Sequence, residues 1–198
     1  MRFRFAPPIL IPTVATSHTH ERYTQSKNFL LNTMAKLKEI IDYKGNVKKI
    51  ACLACAREKG EISLGDIVKS KHFDAHQDYE IPIPGFIIIS SRRHFQGIDE
   101  FTNNEQRDFI KFLCRIRSAM RKVLGIKTAY LFQAEDTSHH FHVWLIPRYG
   151  WMEKKFGKSI ESVRPIVIYS KEGLKTKSNL AKVDGATQKL KQFFSSKK

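Results

Sequence analysis

The sequence is short of most features that would place it in a specialised structural class. Its 198 residues include only 3 cysteines, an odd number that argues against the disulfide framework of a small secreted domain. With 10 Gly and 7 Pro it is neither collagen-like nor a low-complexity chain. No run approaches the roughly 18 consecutive apolar residues of a spanning helix, so no membrane partner is expected. The scarcest commodity is negative charge. Against 19 Asp and Glu stand 35 Lys and Arg, a net charge of +16, and such a surplus concentrates phosphates, nucleic acid or anionic lipid without dictating a fold.

What is present suits one domain with extensions. A hydrophobic fraction of 41% and an aromatic fraction of 11% supply a core. The first 20 residues put arginines ahead of an apolar stretch and so imitate a secretory signal, but Pro7, Pro8 and Pro12 interrupt it. They read as an irregular arm, and a cytoplasmic setting follows. From Tyr23 to Tyr43 apolar residues recur at three and four, with Gly45 beyond as a stop, which predicts an amphipathic helix. These segments make a first division at 1–46.

The next division, 47–152, opens with short apolar runs punctuated by Gly and Pro, and Pro84 to Ile89 reads as a turn entering a buried strand. Thr102 and Glu105 have the spacing of a capping box, and Phe109, Ile110, Leu113, Ile116, Met120 and Val123 continue one helical face to Gly125. Thr128–Gln133 and Phe141–Pro147 then read as neighbouring antiparallel strands. The core is expected to end there. The remainder, 153–198, is a basic extension in which 12 Lys and Arg face 4 Asp and Glu, half of the whole surplus. Within it Pro165–Tyr169 reads as a strand, and a terminal helix ends at Phe193 and Phe194.

Chemistry concentrates in Ser138-His139-His140-Phe141-His142-Val143-Trp144. On a strand, His140, His142 and Trp144 share one face while Phe141, Val143 and Leu145 share the other. A strand with no task would hardly carry two imidazoles on one face, each needing partners when buried. Cys52 and Cys55 form a second constellation, since thiolates at this spacing supply half of a tetrahedral zinc shell and two imidazoles would complete it. A reduced cysteine pair without metal is the competing reading.

Together these residues resemble the histidine-triad (HIT) nucleotide hydrolases and transferases, whose signature is His-x-His-x-His with apolar residues between. The stretch Asp78 to His94 is similar, without a gap, to the family's Asp-x-x-x-x-x-Pro-Gly-His-x-x-x-x-Pro-Lys-x-His. The order of Cys-x-x-Cys, this stretch, a helix and the histidine strand is the family's own and covers roughly half of the chain. The resemblance implies an α+β fold, an antiparallel sheet of about five strands with the long helix packed across it. It implies that His142 attacks the α-phosphorus of a nucleotide, that His140 stands beside it, and that Cys52, Cys55, His94 and His140 hold a structural Zn2+. No organic cofactor is implied, and a homodimer is.

The departures bear on activity. Trp144 stands where the third histidine belongs, and indole donates a hydrogen bond but cannot shuttle a proton. Phe86 replaces the histidine of Pro-Gly-His. Before the strand, Glu135-Asp136-Thr137-Ser138 replaces a glycine-rich loop, leaving Thr137, Ser138 and Gln133, with Asp78 and Trp144, as candidate substrate contacts. Arg148 and the Arg92-Arg93 pair would neutralise phosphate or else lie in solvent. The leading expectation is an enzyme cleaving a nucleoside phosphoanhydride or phosphoramidate, such as a dinucleoside polyphosphate. The alternatives are a catalytically silent module that binds nucleotide or, through its basic surface, nucleic acid, and an aprataxin-like enzyme acting on nucleic-acid ends.

Overall fold

A computed structural model describes residues 38–41, 47–63, 65–136 and 138–196. Along them run β1 (Lys38–Ile41), β2 (Val47–Ile50), α1 (Leu53–Glu58), β3 (Asp66–Lys69), β4 (Phe73–Gln77), β5 (Ile87–Ser91), α2 (Asn103–Leu124), β6 (Thr128–Phe132), β7 (His142–Arg148), α3 (Gly150–Phe156), α4 (Val163–Gly173) and α5 (Lys177–Ser195). Strands β3 to β7 form one antiparallel sheet in the order β3-β4-β5-β7-β6. Strands β1 and β2 pair with each other.

The long helix follows from local chemistry. The Thr102 hydroxyl accepts a hydrogen bond from the Glu105 N–H at 3.3 Å, and the Glu105 carboxylate accepts from the Thr102 N–H at 2.8 Å. This reciprocal box satisfies two of the donors that a helix start leaves open. At the other end Gly125 adopts φ 68°, a left-handed conformation that glycine reaches without steric cost. Between them Phe109, Phe112, Ile116, Ala119 and Met120 are buried on one face.

That face packs on one side of the sheet, against Phe73, Ala75, Ile87, Ile89, Phe141, Val143 and Leu145. Alternation along each strand sends the intervening residues to the other side. There Asp74 and Ser90, then Ser90 and His142, are cross-strand partners, and one step along Ile88 pairs with Trp144. A second apolar cluster covers part of this other side. It joins Ile81, Ile83, Phe86 and Ile146 to Met152, Val163 and Ile166 from α3 and α4.

Three sequence expectations need correction. Of the helix expected over 23–43, residues 38–41 are strand, because their backbone pairs antiparallel with Val47–Ile50 and not with a preceding helical turn; residues 23–37 and 42–43 lie outside the described residues, as does the amino-terminal arm. Pro165–Tyr169 is not a strand but the middle of α4. Val163, Ile166 and Ser170 are buried at helical spacing, so packing overrides β propensity, and a proline in the first turn forfeits no helical bond. Nor does the core end at β7, since Leu190 and Phe194 of α5 belong to the main cluster.

Candidate active site and metal centre

Cys52 is the N-cap of α1, and its sulfur lies 3.5 Å from the Cys55 N–H. The two thiols therefore flank the first helical turn. His94 follows β5 and His140 precedes β7, and both reach this turn. Cys52 Sγ lies 3.2 Å from His140 Nδ1, Cys55 Sγ 3.2 Å from His94 Nδ1, and the two Nδ1 atoms 3.1 Å apart. All four donor atoms fall within 4.8 Å of one another; the separations of 3.1–3.2 Å come close to the edges of about 3.3–3.8 Å of a tetrahedron around one cation with bonds of about 2.0–2.3 Å, and the widest would have to close on binding. His140 Nε2–H donates to the Ser91 carbonyl at 2.7 Å. A carbonyl can only accept, so the proton sits on Nε2 and the Nδ1 lone pair turns toward the thiols.

Burial, reinforced by neighbouring Cys52, pushes the Cys55 thiol up to about 11. Burial likewise lowers His140 from its ordinary value. A divalent cation would suit the neutral His140 imidazole and would reverse the Cys55 shift, because it binds thiolate and displaces the thiol proton.

Ion pairs that sequence reading missed hold the cluster. Arg57 bridges from α1 to Asp66 and, at 3.6 Å, to Asp74. Burial alone would raise Asp74, but its bond with His76 at 3.0 Å and the Arg57 charge hold it below the ordinary carboxylate range. Arg92 clasps Glu58 of α1 at 2.6 and 2.8 Å, and Arg93 clasps Glu105 of α2 at 2.9 and 3.0 Å. Both arginines are thereby engaged with carboxylates rather than turned to a phosphate. Alternation in Phe73-Asp74-Ala75-His76 was the signal for the buried Asp-His pair; the arginine partners carry no local signal.

His142 stands two residues beyond the cluster on β7, partly exposed. Its Nδ1–H donates to the His140 carbonyl at 3.0 Å, which leaves the lone pair on Nε2. One polypeptide stretch thus presents one imidazole to the thiols and the next to solvent.

Trp144 shares the His142 face, with ring centroids 6.3 Å apart. Its ring meets Phe86 edge-on at 5.5 Å and Phe132 at 5.9 Å. Phe86, just before β5, and Trp144 of β7 therefore touch. Ser138 Oγ accepts from the His140 N–H at 3.3 Å, and the Gln133 amide donates to Glu135 at 3.1 Å. Asp78 is further off, past the end of β4 at the level of Phe86 and two strands away from His142; burial holds its carboxyl above the ordinary value. Thr137 lies outside the described residues. Arg148 donates to the Gly157 carbonyl at 2.7 Å and lies over the Tyr130 ring.

The chain is an α+β protein whose histidine-bearing strand lies inside an antiparallel sheet, and it is similar to histidine-triad proteins. Among curated proteins it is 24% identical over 104 residues to "Protein hit" of Bacillus subtilis (strain 168), covering 50% of this chain and 72% of that protein. Among solved structures, a HIT family protein from Bacillus anthracis is 22% identical with a TM-score of 0.48, covering 74% of this chain and 97% of that one. A Zn-bound histidine triad family protein from Mycobacterium smegmatis is 17% identical with a TM-score of 0.46, covering 68% and 96%. No family model matches the chain. No helix among the described residues is long and apolar enough to cross a membrane.

Proposed function

We propose that this chain is a nucleotide hydrolase or nucleotidyl transferase of the histidine-triad type, cleaving a nucleoside phosphoanhydride or phosphoramidate. The observation that carries the reading is the His142 Nδ1–H bond to the His140 carbonyl, which fixes the tautomer of a nucleophile. The Nε2 lone pair attacks the α-phosphorus, and the bond from phosphorus to the leaving atom breaks with its electron pair going to that atom: a phosphoanhydride oxygen departs as an anion, and a phosphoramidate nitrogen takes a proton from solvent and departs as the amine. Water then attacks the phosphorus, the P–N bond breaks, the pair returns to Nε2, and the water proton passes to solvent.

The Trp144 indole supplies no proton to the leaving atom. Packed on Phe86 and Phe132, it favours substrates whose leaving group departs as a stable anion, such as the nucleoside polyphosphate released from a dinucleoside polyphosphate. Cys52, Cys55, His94 and His140 would hold zinc as a closed structural centre, which anchors the start of β7 and offers no coordination position to substrate.

The test is intact-mass spectrometry after incubation with an adenosine phosphoramidate and with a dinucleoside polyphosphate, quenched in alkali. A nucleotidyl adduct or turnover present in the native chain and abolished, by at least about 10³-fold, in His142→Ala supports the proposal. Binding with neither adduct nor turnover would instead establish a catalytically silent binding module.

A further inference from the structure

Helices α2 and α5 lie side by side and antiparallel. Near one end the Arg115 guanidinium sits over the Phe194 ring, and near the other Val123 and Leu124 face Lys182, Gly185, Ala186 and Lys189. The two helices together carry ten Lys and Arg and only three carboxylates. All three carboxylates are engaged inside the molecule: Glu105 by Arg93, Asp108 by the Ser70 hydroxyl and the His72 N–H, and Asp184 by the Tyr79 hydroxyl. Among the described residues none of the ten cations is in an ion pair. Exposed Arg107, Lys111, Arg115, Arg121 and Lys122 follow α2 for fifteen residues, about 22 Å at 1.5 Å per residue. That is longer than a mononucleotide.

Between the helices opens a recess of about 340 Å³. It is lined by the apolar Pro84, Val123, Leu124, Ala186 and the Tyr149 ring, by Gly185, and by the cationic Lys182 and Lys189. The Tyr149 hydroxyl is held by the Pro84 carbonyl at 2.7 Å, so the ring is fixed in place. The recess lies beyond the far end of β7, where Tyr149 is seven residues from His142, or roughly 23 Å at 3.3 Å per residue.

We propose that this face binds single-stranded nucleic acid, with an unstacked base seated in the recess and the backbone phosphates on the flanking lysines and the α2 cations. An apolar slot beside cations is the combination by which proteins hold strands with little regard to sequence: stacking takes the base and charge tracks the backbone. A duplex keeps its bases stacked and cannot fill the slot. The surface stands on different residues from the His142 site, so either reading can fail without the other.

The test is fluorescence anisotropy of a labelled 20-nucleotide single strand and of the matching duplex across a salt series, on the whole chain. The expected result is tighter binding of the single strand, with log affinity falling by about 0.7 per phosphate contact for each unit of log salt. Lys182→Glu with Lys189→Glu is expected to weaken it at least 10-fold and flatten the slope. Gly185→Leu fills the recess without changing charge. A Cβ there meets nothing within 4 Å, and leucine favours the helix over glycine. This variant is expected to lose about 10-fold on the single strand and little on the duplex, while His142→Ala binds as the native chain does. The proposal is overturned by equal binding of strand and duplex, by an unaffected Gly185→Leu, by displacement with mononucleotide at constant ionic strength, or by affinity for anionic vesicles with none for the strand. Unchanged circular dichroism of each variant confirms that folding is intact.

Discussion

The behaviour of Glu105 ties stability to pH. Its bond to Arg93, against the opposing effect of burial and with help from the Thr102 N–H, holds the carboxyl down to about 2 from an ordinary 4.5. A carboxylate depressed by folding contributes stability that is fully present above about pH 4.5 and is lost as pH falls toward 2. Thermal midpoints measured between pH 5 and 2 are expected to fall, and Glu105→Gln to fall less steeply while starting lower. A native profile flat down to pH 2 would contradict the assignment. Metal linkage adds a second residue-scale prediction. Native protein is expected to carry about one zinc, and Cys52→Ser to lose it. Free zinc at a hundred times its dissociation constant stabilises by about 2.7 kcal/mol, or roughly 5–11 °C in a chain of this size; chelation should lower Tm by that amount.

At the scale of elements, α5 distinguishes an appendage from a structural member. Leu190 is fully buried in the main cluster, so Leu190→Ala should cost about 2–5 kcal/mol, read as a lower urea midpoint. A loose extension would show no change. The same element explains how much of the fold was legible. Thr102, Glu105 and Gly125 announce α2 because caps are local chemistry, and the alternation in β7 announces its two faces because the period of a strand is local too. Pro165-Ile166-Val167-Ile168-Tyr169 misleads because a run of β-branched residues looks the same on a strand and on a buried helical face. Only Val163, Ile166 and Ser170 taken together reveal the longer period. The arginine clasps on Asp66, Glu58 and Glu105 were illegible for a simpler reason, since each partner is chosen by tertiary placement. Cys52, Cys55, His94 and His140 were readable by type, whereas the contact between Phe86 and Trp144 emerges only when β5 and β7 pair.

The whole molecule divides its labour between the two sides of one sheet. One side carries the helix pair and the main apolar cluster, and the other carries His142 with a smaller apolar cluster. The four-residue cluster stands where α1, the end of β5 and the start of β7 meet, and its geometry has a consequence in time. Cys52 and His140 are 88 residues apart. A ribosome adding about 5–20 residues per second needs roughly 4–18 s to make the second after the first. Throughout that interval two cysteines at disulfide-forming spacing are exposed on a nascent chain without their histidine partners. A zinc ion held by all four side chains could be gathered only late, after the last of them has left the exit tunnel, and until then the newborn protein would need shielding from oxidants.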